Sequence, residues 1–120
     1  MKYLFIPCYG ELKVINVTDD KVPEFDFFRK IISANSLEVV HCSMNYRHLM
    51  LVDEWGKIID PPKLVNFRAS ALYGGAPFDL ICGDVILGKE GYTPDGVDIV
   101  GLTDEEILKY LRFFCEDENN

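Results

Sequence analysis

The positions of hydrophobic and polar residues divide the chain into short strands and three helices. Continuous or alternating apolar runs predict strands, whereas apolar residues spaced three or four apart predict helices. Two runs near the N-terminus, Lys2 to Pro7 and Leu12 to Val17, are predicted to pair as a hairpin. Pro23 to Ala34 is predicted to be a helix, because proline suits a first helical turn and Phe28 and Ile32 recur at helical spacing.

The middle of the chain alternates between strand and turn signals. Leu37 to Cys42 and Leu49 to Val52 are predicted strands, and Lys57 to Ile59 is predicted to pair with the second of them across a glycine turn. Asn66 has the side chain of a helix N-cap, so Phe67 to Tyr73 is predicted to be a short helix that ends at two glycines.

The last third carries the clearest local signal of the chain. Asp79 to Leu87 is predicted to be a strand, and Gly88 to Gly101 is predicted to be a long loop. The run from Thr103 to Glu106 is a capping box that starts a closing helix, and the acidic residues 116–120 are predicted to be a flexible tail. The pattern predicts a single α+β domain over residues 1–115, with a curved, mainly antiparallel sheet and two or three helices packed on one face.

Composition and charge narrow the function classes. The chain has 120 residues, 48% of them hydrophobic, which is enough for a core. A net charge of -8 repels phosphate, so direct nucleic-acid binding is not expected. The apolar N-terminus is too short for a signal peptide or a membrane span, so we expect a cytoplasmic protein. The acids form short groups, which leaves two readings, a solvated surface or mimicry of DNA: Asp19-Asp20, Asp104-Glu105-Glu106 and Glu116-Asp117-Glu118.

The sequence contains no complete catalytic motif and no cofactor motif. Neither a phosphate-binding loop nor a C-x-x-C pair is present among its glycines and four cysteines. A cysteine hydrolase would need Cys8 or Cys42 beside an imidazole from His41 or His48. His41 and Cys42 are neighbours, and neighbours in a strand point to opposite faces. The spacing of the two histidines does not match a recognised metal site, so no metal is predicted.

Five residues are the candidate ligand-binding set. Arg68 could hold a phosphate or carboxylate with its planar guanidinium, and Asn66 could recognise an amide-like edge. The alternative is that Asn66 caps the short helix and Arg68 pairs with a surface acid. Asp84 lies inside an apolar run, where a carboxylate is either structural or faces a ligand. Tyr46 and Arg47 are the further candidates.

The motifs of the second half carry a resemblance to a known family. Residues 66–73 read N-x-R-A-S-A-L-Y, residues 79–87 read D-x-I-x-G-D-V-x-L, and residues 101–106 read G-L-T-D-E-E. Together with the turn from Val52 to Lys57, they resemble a family of small proteins of unknown function found in bacteriophages, conjugative elements and their bacterial hosts. Residues 63–65 are additional spacing relative to that family. The resemblance implies a setting, the bacterial cytoplasm, and no chemistry.

These observations lead to one expected function and two alternatives. We expect a non-enzymatic binding protein of a phage or mobile element that counteracts host defence by sequestering a small nucleotide-like signal. The first alternative is an inhibitor that contacts a host protein, including by acidic DNA mimicry. The second is the small cysteine-dependent hydrolase. An open sheet edge could also be covered by a second copy of the chain as a homodimer.

Overall fold

The computed structural model describes residues 1–18, 21–75, 77–94 and 96–118. Within these ranges the chain forms six strands and three helices. In chain order they are β1 (Lys2–Ile6), β2 (Lys13–Asn16), α1 (Phe25–Ile31), β3 (Leu37–His41), β4 (His48–Asp53), α2 (Phe67–Tyr73), β5 (Val85–Thr93), β6 (Gly96–Val100) and α3 (Asp104–Glu118).

The strands form one antiparallel sheet with β5 at its centre. Its order is β2-β1-β5-β4-β3, and β6 pairs with the second half of β5. Leu87 of β5 lies between Leu4 of β1 and Met50 of β4, and all three side chains are fully buried. The predicted α+β domain with a mainly antiparallel sheet is therefore confirmed.

Helices cover both faces of this sheet. On one face, α2 and α3 contribute Leu72, Ile107 and Phe114 to a core shared with Leu4 and Leu87. The expected packing of two or three helices on one face is thus met by these two. On the other face, α1 contributes Phe28, which is fully buried and packs edge to face against Tyr3 with ring centroids 5.0 Å apart.

The predicted loop from Gly88 to Gly101 is wrong. β5 continues to Thr93, and β6 returns along it with Lys89 opposite Val100. The glycines that suggested a loop serve close packing instead, since a Cβ on Gly88 would lie 2.9 Å from the Val100 carbonyl oxygen. A Cβ on Gly91 would lie 2.6 Å from the side chain of Val100.

Two other predicted strands and one helix differ from the structure. Lys57 to Ile59 forms turns, in which the amides of Ile58 and Ile59 both donate to the Trp55 carbonyl. The strand predicted from Asp79 begins at Val85, because Gly83 adopts a φ of +95° that interrupts an extended chain. The helix predicted to reach Ala34 ends at Ile31, just before Ser33 takes a φ of +54°.

The capping box of α3 is confirmed. The Thr103 amide donates to Glu106 Oε1 at 2.8 Å, and the Glu106 amide donates to Thr103 Oγ1 at 3.1 Å. Leu102 and Ile107, on either side of the box, are both buried in the same core. The helix continues to Glu118, into the segment predicted as a flexible tail, and residues 119 and 120 lie outside the described residues.

Removing the threonine hydroxyl should weaken this helix start. We expect Thr103→Ala to lower the free energy of unfolding by about 1 kcal/mol, the usual contribution of an N-cap side chain. Urea unfolding of the two proteins measures the difference. Thr103→Ser retains the hydroxyl and should retain the stability; equal losses in both variants would contradict a capping role.

Candidate functional site

Asn66, the first candidate residue, is completely buried at the start of α2. Its Oδ1 accepts a hydrogen bond from the Ala69 amide at 2.9 Å, which caps the helix. Its Nδ2 donates to the carbonyls of Ile6 at 2.9 Å and Gly83 at 3.0 Å. Both amide hydrogens are therefore used inside the protein, and the side chain joins α2 to β1 and to the segment before β5.

Arg68 and Asp84 both bind the main chain that follows β1. Arg68 Nη2 donates to the carbonyls of Pro7 and Gly10, each at 2.8 Å. Asp84 Oδ1 accepts a hydrogen bond from the Cys8 amide at 2.8 Å. The two side chains line separate cavities, so the structure does not bring them together in one pocket.

Tyr46 and Arg47 lie in the turn between β3 and β4, and neither lines the cavities of Arg68 or Asp84. Tyr46 is 71% exposed, and its ring stacks on His41 with centroids 4.9 Å apart. The Nδ1 of His41 lies 2.7 Å from the Tyr46 carbonyl oxygen, which can only accept, so His41 carries a proton on Nδ1. The Arg47 carbonyl accepts from the amide of Glu90.

Tyr46 lines an open cavity of about 510 Å³ along β3, here called the β3 groove. Its walls come from β3, from the turn that follows it and from the C-terminal end of α2. The lining residues are Glu38, Val39, Val40, His41, Ser43, Tyr46, Tyr73, Gly74 and Gly75. Of the five candidate residues, Tyr46 is the one that takes part in this groove.

The outer edge of β3 opens onto this groove with unpaired main-chain groups. The Ser36 carbonyl accepts from the Glu54 amide, and the Cys42 amide donates to the His48 carbonyl. The main-chain amides and carbonyls of the even-numbered residues of β3 therefore point towards β4. By alternation, the main-chain groups of Leu37, Val39 and His41 face away from β4. No strand in the described part of the chain pairs with this side of β3.

The end of α2 closes one end of the groove. The Ser43 amide donates to the Leu72 carbonyl at 2.9 Å, so the open edge stops just beyond His41. Gly74 follows with a φ of +79°, the left-handed C-cap that ends α2. A Cβ at Gly74 would lie 2.7 Å from Ser43 Oγ, so glycine allows the helix end to approach the strand this closely.

A smaller cavity of about 100 Å³, the acidic recess, adjoins the β3 groove and shares Glu38, Val40 and Tyr73 with it. Its lining residues are Glu38, Val40, Val52, Asp53, Glu54, Lys57, Tyr73, Asp79, Ile81 and Cys82. Four of these are carboxylates and one is a lysine. The recess therefore combines a polar wall with an apolar floor.

Ion pairs neutralise two of the four carboxylates. Lys57 pairs with Asp79, and Lys63, from outside the recess, pairs with Asp53 at 2.8 Å. Hydrogen bonds from Lys57 and Tyr73 lower the pKa of Asp79. Donating to Asp79 in turn raises the pKa of Tyr73. Four carboxylates against these two lysines leave a net charge of -2, carried by Glu38 and Glu54.

The candidate cysteines of the hydrolase hypothesis lie in surroundings that do not favour a thiolate. Burial raises the pKa of Cys42 to about 11, and burial followed by the nearby Asp84 raises the pKa of Cys8, so both thiols stay protonated at neutral pH. His48 is the first residue of β4. Its two ring nitrogens form hydrogen bonds with Tyr110 and Glu106. Within the residues whose side chains are described, no three potential ligands converge as a metal site.

Of the three acidic groups, the structure describes the side chains of one, Asp104-Glu105-Glu106. Glu106 accepts hydrogen bonds within the core side of α3, and Asp104 pairs with Lys2 at 2.7 Å. Asp19 and Asp20 lie outside the described residues, as do the side chains of 116–118.

The sequence did not predict two features, the β3 groove and a network of side chains between the sheet and α3. The β3 groove was missed because only the sheet order reveals that β3 is an edge strand. A network of His48, Lys89, Glu106 and Tyr110 joins β4 and β5 to α3 and was also missed. The capping box pointed to Glu106, but its contacts with β4 and β5 are 58 and 17 residues away in sequence.

Comparisons with protein-family models, with curated proteins and with solved structures find no match to the chain. The resemblance to small phage proteins therefore stays a prediction. No helix in the described ranges is long and apolar enough to cross a membrane.

Proposed function

We propose that the chain is a non-catalytic binding protein and that the β3 groove is its binding surface. The observation that carries this proposal is the unpaired outer edge of β3, which opens onto a cavity of about 510 Å³ beside two stacked, exposed rings. Main-chain donors and acceptors, aromatic faces and carboxylates converge there. Such a mixture recognises a ligand without requiring an activated nucleophile.

The β3 groove is preferred over a second open cavity of about 640 Å³ beside α1. That cavity is lined by apolar side chains such as Phe27, and two of its charged side chains, Asp26 and Lys30, pair with each other at 3.3 Å. It offers less directional recognition. We propose, from the resemblance to small phage proteins, that binding takes place in a bacterial cytoplasm, where occupancy of a host molecule would be enough to act against it.

A nucleotide-like signal is one candidate ligand of the β3 groove. The stacked rings of His41 and Tyr46 favour it, because bases stack on exposed aromatic side chains for about 1–3 kcal/mol each. The unneutralised carboxylates of Glu38 and Glu54 disfavour it, because they repel phosphate. A ligand of the opposite charge fits the same surface better.

NMR chemical-shift mapping tests the binding surface. The probes are a panel of cyclic dinucleotides and ADP-ribose nucleotides, and peptides recovered from a random display library. We expect saturable shifts that cluster at β3, Tyr46 and Tyr73, with the probe unchanged in mass afterwards. Tyr46→Ala should weaken binding about tenfold, because a stacked ring contributes roughly 1 kcal/mol or more.

Tyr92→Ala is the matched control. Tyr92 is also an exposed tyrosine, with 80% of its surface accessible, but it lies on the β5–β6 hairpin and outside the groove. It should leave binding unchanged. Shifts that map to another surface, an equal effect of the two substitutions, or chemical conversion of a probe would each refute the proposal.

A further inference from the structure

We infer that the occupant of the β3 groove is an extended peptide of a partner protein that adds to β3 as a seventh strand and places a lysine or arginine in the acidic recess. This inference rests on the proposed function and specifies the ligand class of that same surface. It follows from the main-chain geometry of the edge, from the shape of the groove and from the charge of the recess.

The main chain of β3 provides the template for an added strand. Leu37, Val39 and His41 direct their amides and carbonyls away from β4, a spacing that a strand of about five residues can match. Glu38 and Val39 on this strand are exposed. The strand contains neither a proline nor a bulge, two of the features that block strand addition.

The groove has a second wall, which favours a peptide over an open-ended sheet contact. The end of α2 stands beside the strand at Tyr73 and Gly74, so a peptide would lie between a strand and a helix end. The hydrogen bond from Ser43 to Leu72 closes one end of this channel. A flat sheet edge from a large domain would meet this wall, whereas a single extended segment would not.

The acidic recess selects the side chain. Its volume of about 100 Å³ is roughly three times the 30 Å³ share of a liquid water, which suits the end of a lysine or arginine side chain. The net charge of -2 favours a cation, and the apolar floor of Val52 and Ile81 fits the methylene stem. Glu38 belongs to both the recess and β3, so a peptide paired with β3 lies directly beside the recess.

Charge also argues against a second copy as the occupant. The chain carries a net charge of -8, and the edge presents Glu38, one of the two carboxylates that give the recess its negative charge. Two antiparallel copies of β3 would bring these carboxylates close together, where like charges repel. A basic segment from a different protein lacks this penalty and would be attracted to the surface before contact.

The test removes one outward amide hydrogen of β3. The probe is the tightest binder recovered from a random 12-residue display library. Val39→Pro deletes the outward N–H, and proline is tolerated at an edge strand when its nitrogen faces solvent. We expect about tenfold weaker binding of the probe by titration calorimetry, whereas Val39→Thr keeps the amide and the affinity. Thermal unfolding confirms that each variant is folded.

A second measurement changes the peptide instead of the protein, so it does not depend on whether Val39→Pro folds. Methylating each backbone nitrogen of the peptide in turn should abolish binding at alternate residues, because alternate amides of an added strand face β3. Replacing one lysine or arginine of the peptide by alanine should weaken binding at least tenfold, and Glu38→Gln should weaken binding of the unmodified peptide severalfold.

Several outcomes would overturn the inference while leaving the proposed binding surface intact. These are nucleotide binding in the groove without peptide binding, peptides without a basic residue, a methylation pattern without a period of two, and a dimer through β3 that Val39→Pro dissociates. Absence of any ligand in the groove would overturn both the inference and the proposed function.

Discussion

Asn66→Ala is expected to lower the free energy of unfolding by about 3–7 kcal/mol, because the completely buried side chain makes three hydrogen bonds inside the protein. Loss of the cap to the Ala69 amide accounts for about 1 kcal/mol of this. Loss of the Nδ2 donor leaves the carbonyls of Ile6 and Gly83 without this partner in the core, at about 1–3 kcal/mol each. Because small domains are stable by only about 5–15 kcal/mol, the effect is large.

Denaturant unfolding of Asn66→Ala and Asn66→Ser separates the two contributions. Serine retains an oxygen that can accept from the helix amide but has no amide group to reach β1. We expect serine to recover about 1 kcal/mol and no more. A serine variant as stable as the original protein would show that the bonds to Ile6 and Gly83 contribute nothing. A loss below about 1 kcal/mol in the alanine variant would show that the three hydrogen bonds of Asn66 contribute little to stability.

Asn66 also shows what the sequence could and could not predict. Its capping role uses residues within three positions, and so does the capping box of Thr103 and Glu106, so local rules identified both. Its hydrogen bond to the Ile6 carbonyl joins residues 60 positions apart and depends on where α2 packs. The hydrogen-bonding groups of Asn66, a ligand-binding candidate, therefore bind other parts of the protein. Arg68 and Asp84 likewise bind the main chain of the segment after β1.

The same limit explains the errors in the strands. Gly88 and Gly91 read as loop residues because glycine is common in loops, yet here they make room for Val100 of the neighbouring strand. Such a reason becomes visible only when β6 is in place. The β3 groove is hidden in the same way, because the sequence of Leu37 to His41 reads alike in an edge strand and in an interior one.

The second large effect concerns Glu106, whose carboxylate joins α3 to the sheet. Its Oε1 accepts from Lys89 at 2.8 Å and from the Thr103 amide, and its Oε2 lies 2.9 Å from His48 Nε2. Burial alone would raise the pKa of Glu106, but the hydrogen bonds from Lys89, Thr103 and His48 outweigh it and lower the pKa to about 2. The folded protein thus favours the ionised form.

The sign of the pH dependence follows from this lowered pKa. A carboxyl with a folded pKa of about 2 and an ordinary value of 4.5 stabilises the fold above pH 4.5. That contribution, at most about 3 kcal/mol, is lost as the pH falls from about 4.5 to about 2. Glu106→Gln removes the charge, so it should cost up to about 3 kcal/mol at pH 5, and the difference from the original protein should shrink towards zero near pH 2.

Glu105→Gln is the matched control for this experiment. Glu105 lies in the same helical turn, but its side chain is 83% exposed and is 4.0 Å from Lys109 in its ion pair. An exposed pair of this kind contributes little, so its variant should unfold within about 0.5 kcal/mol of the original protein throughout this pH range. Urea unfolding between pH 5 and pH 2 measures both variants. A Glu106→Gln difference that stays constant with pH would show that the carboxylate acts through packing rather than charge, because only a charged group loses its contribution on protonation.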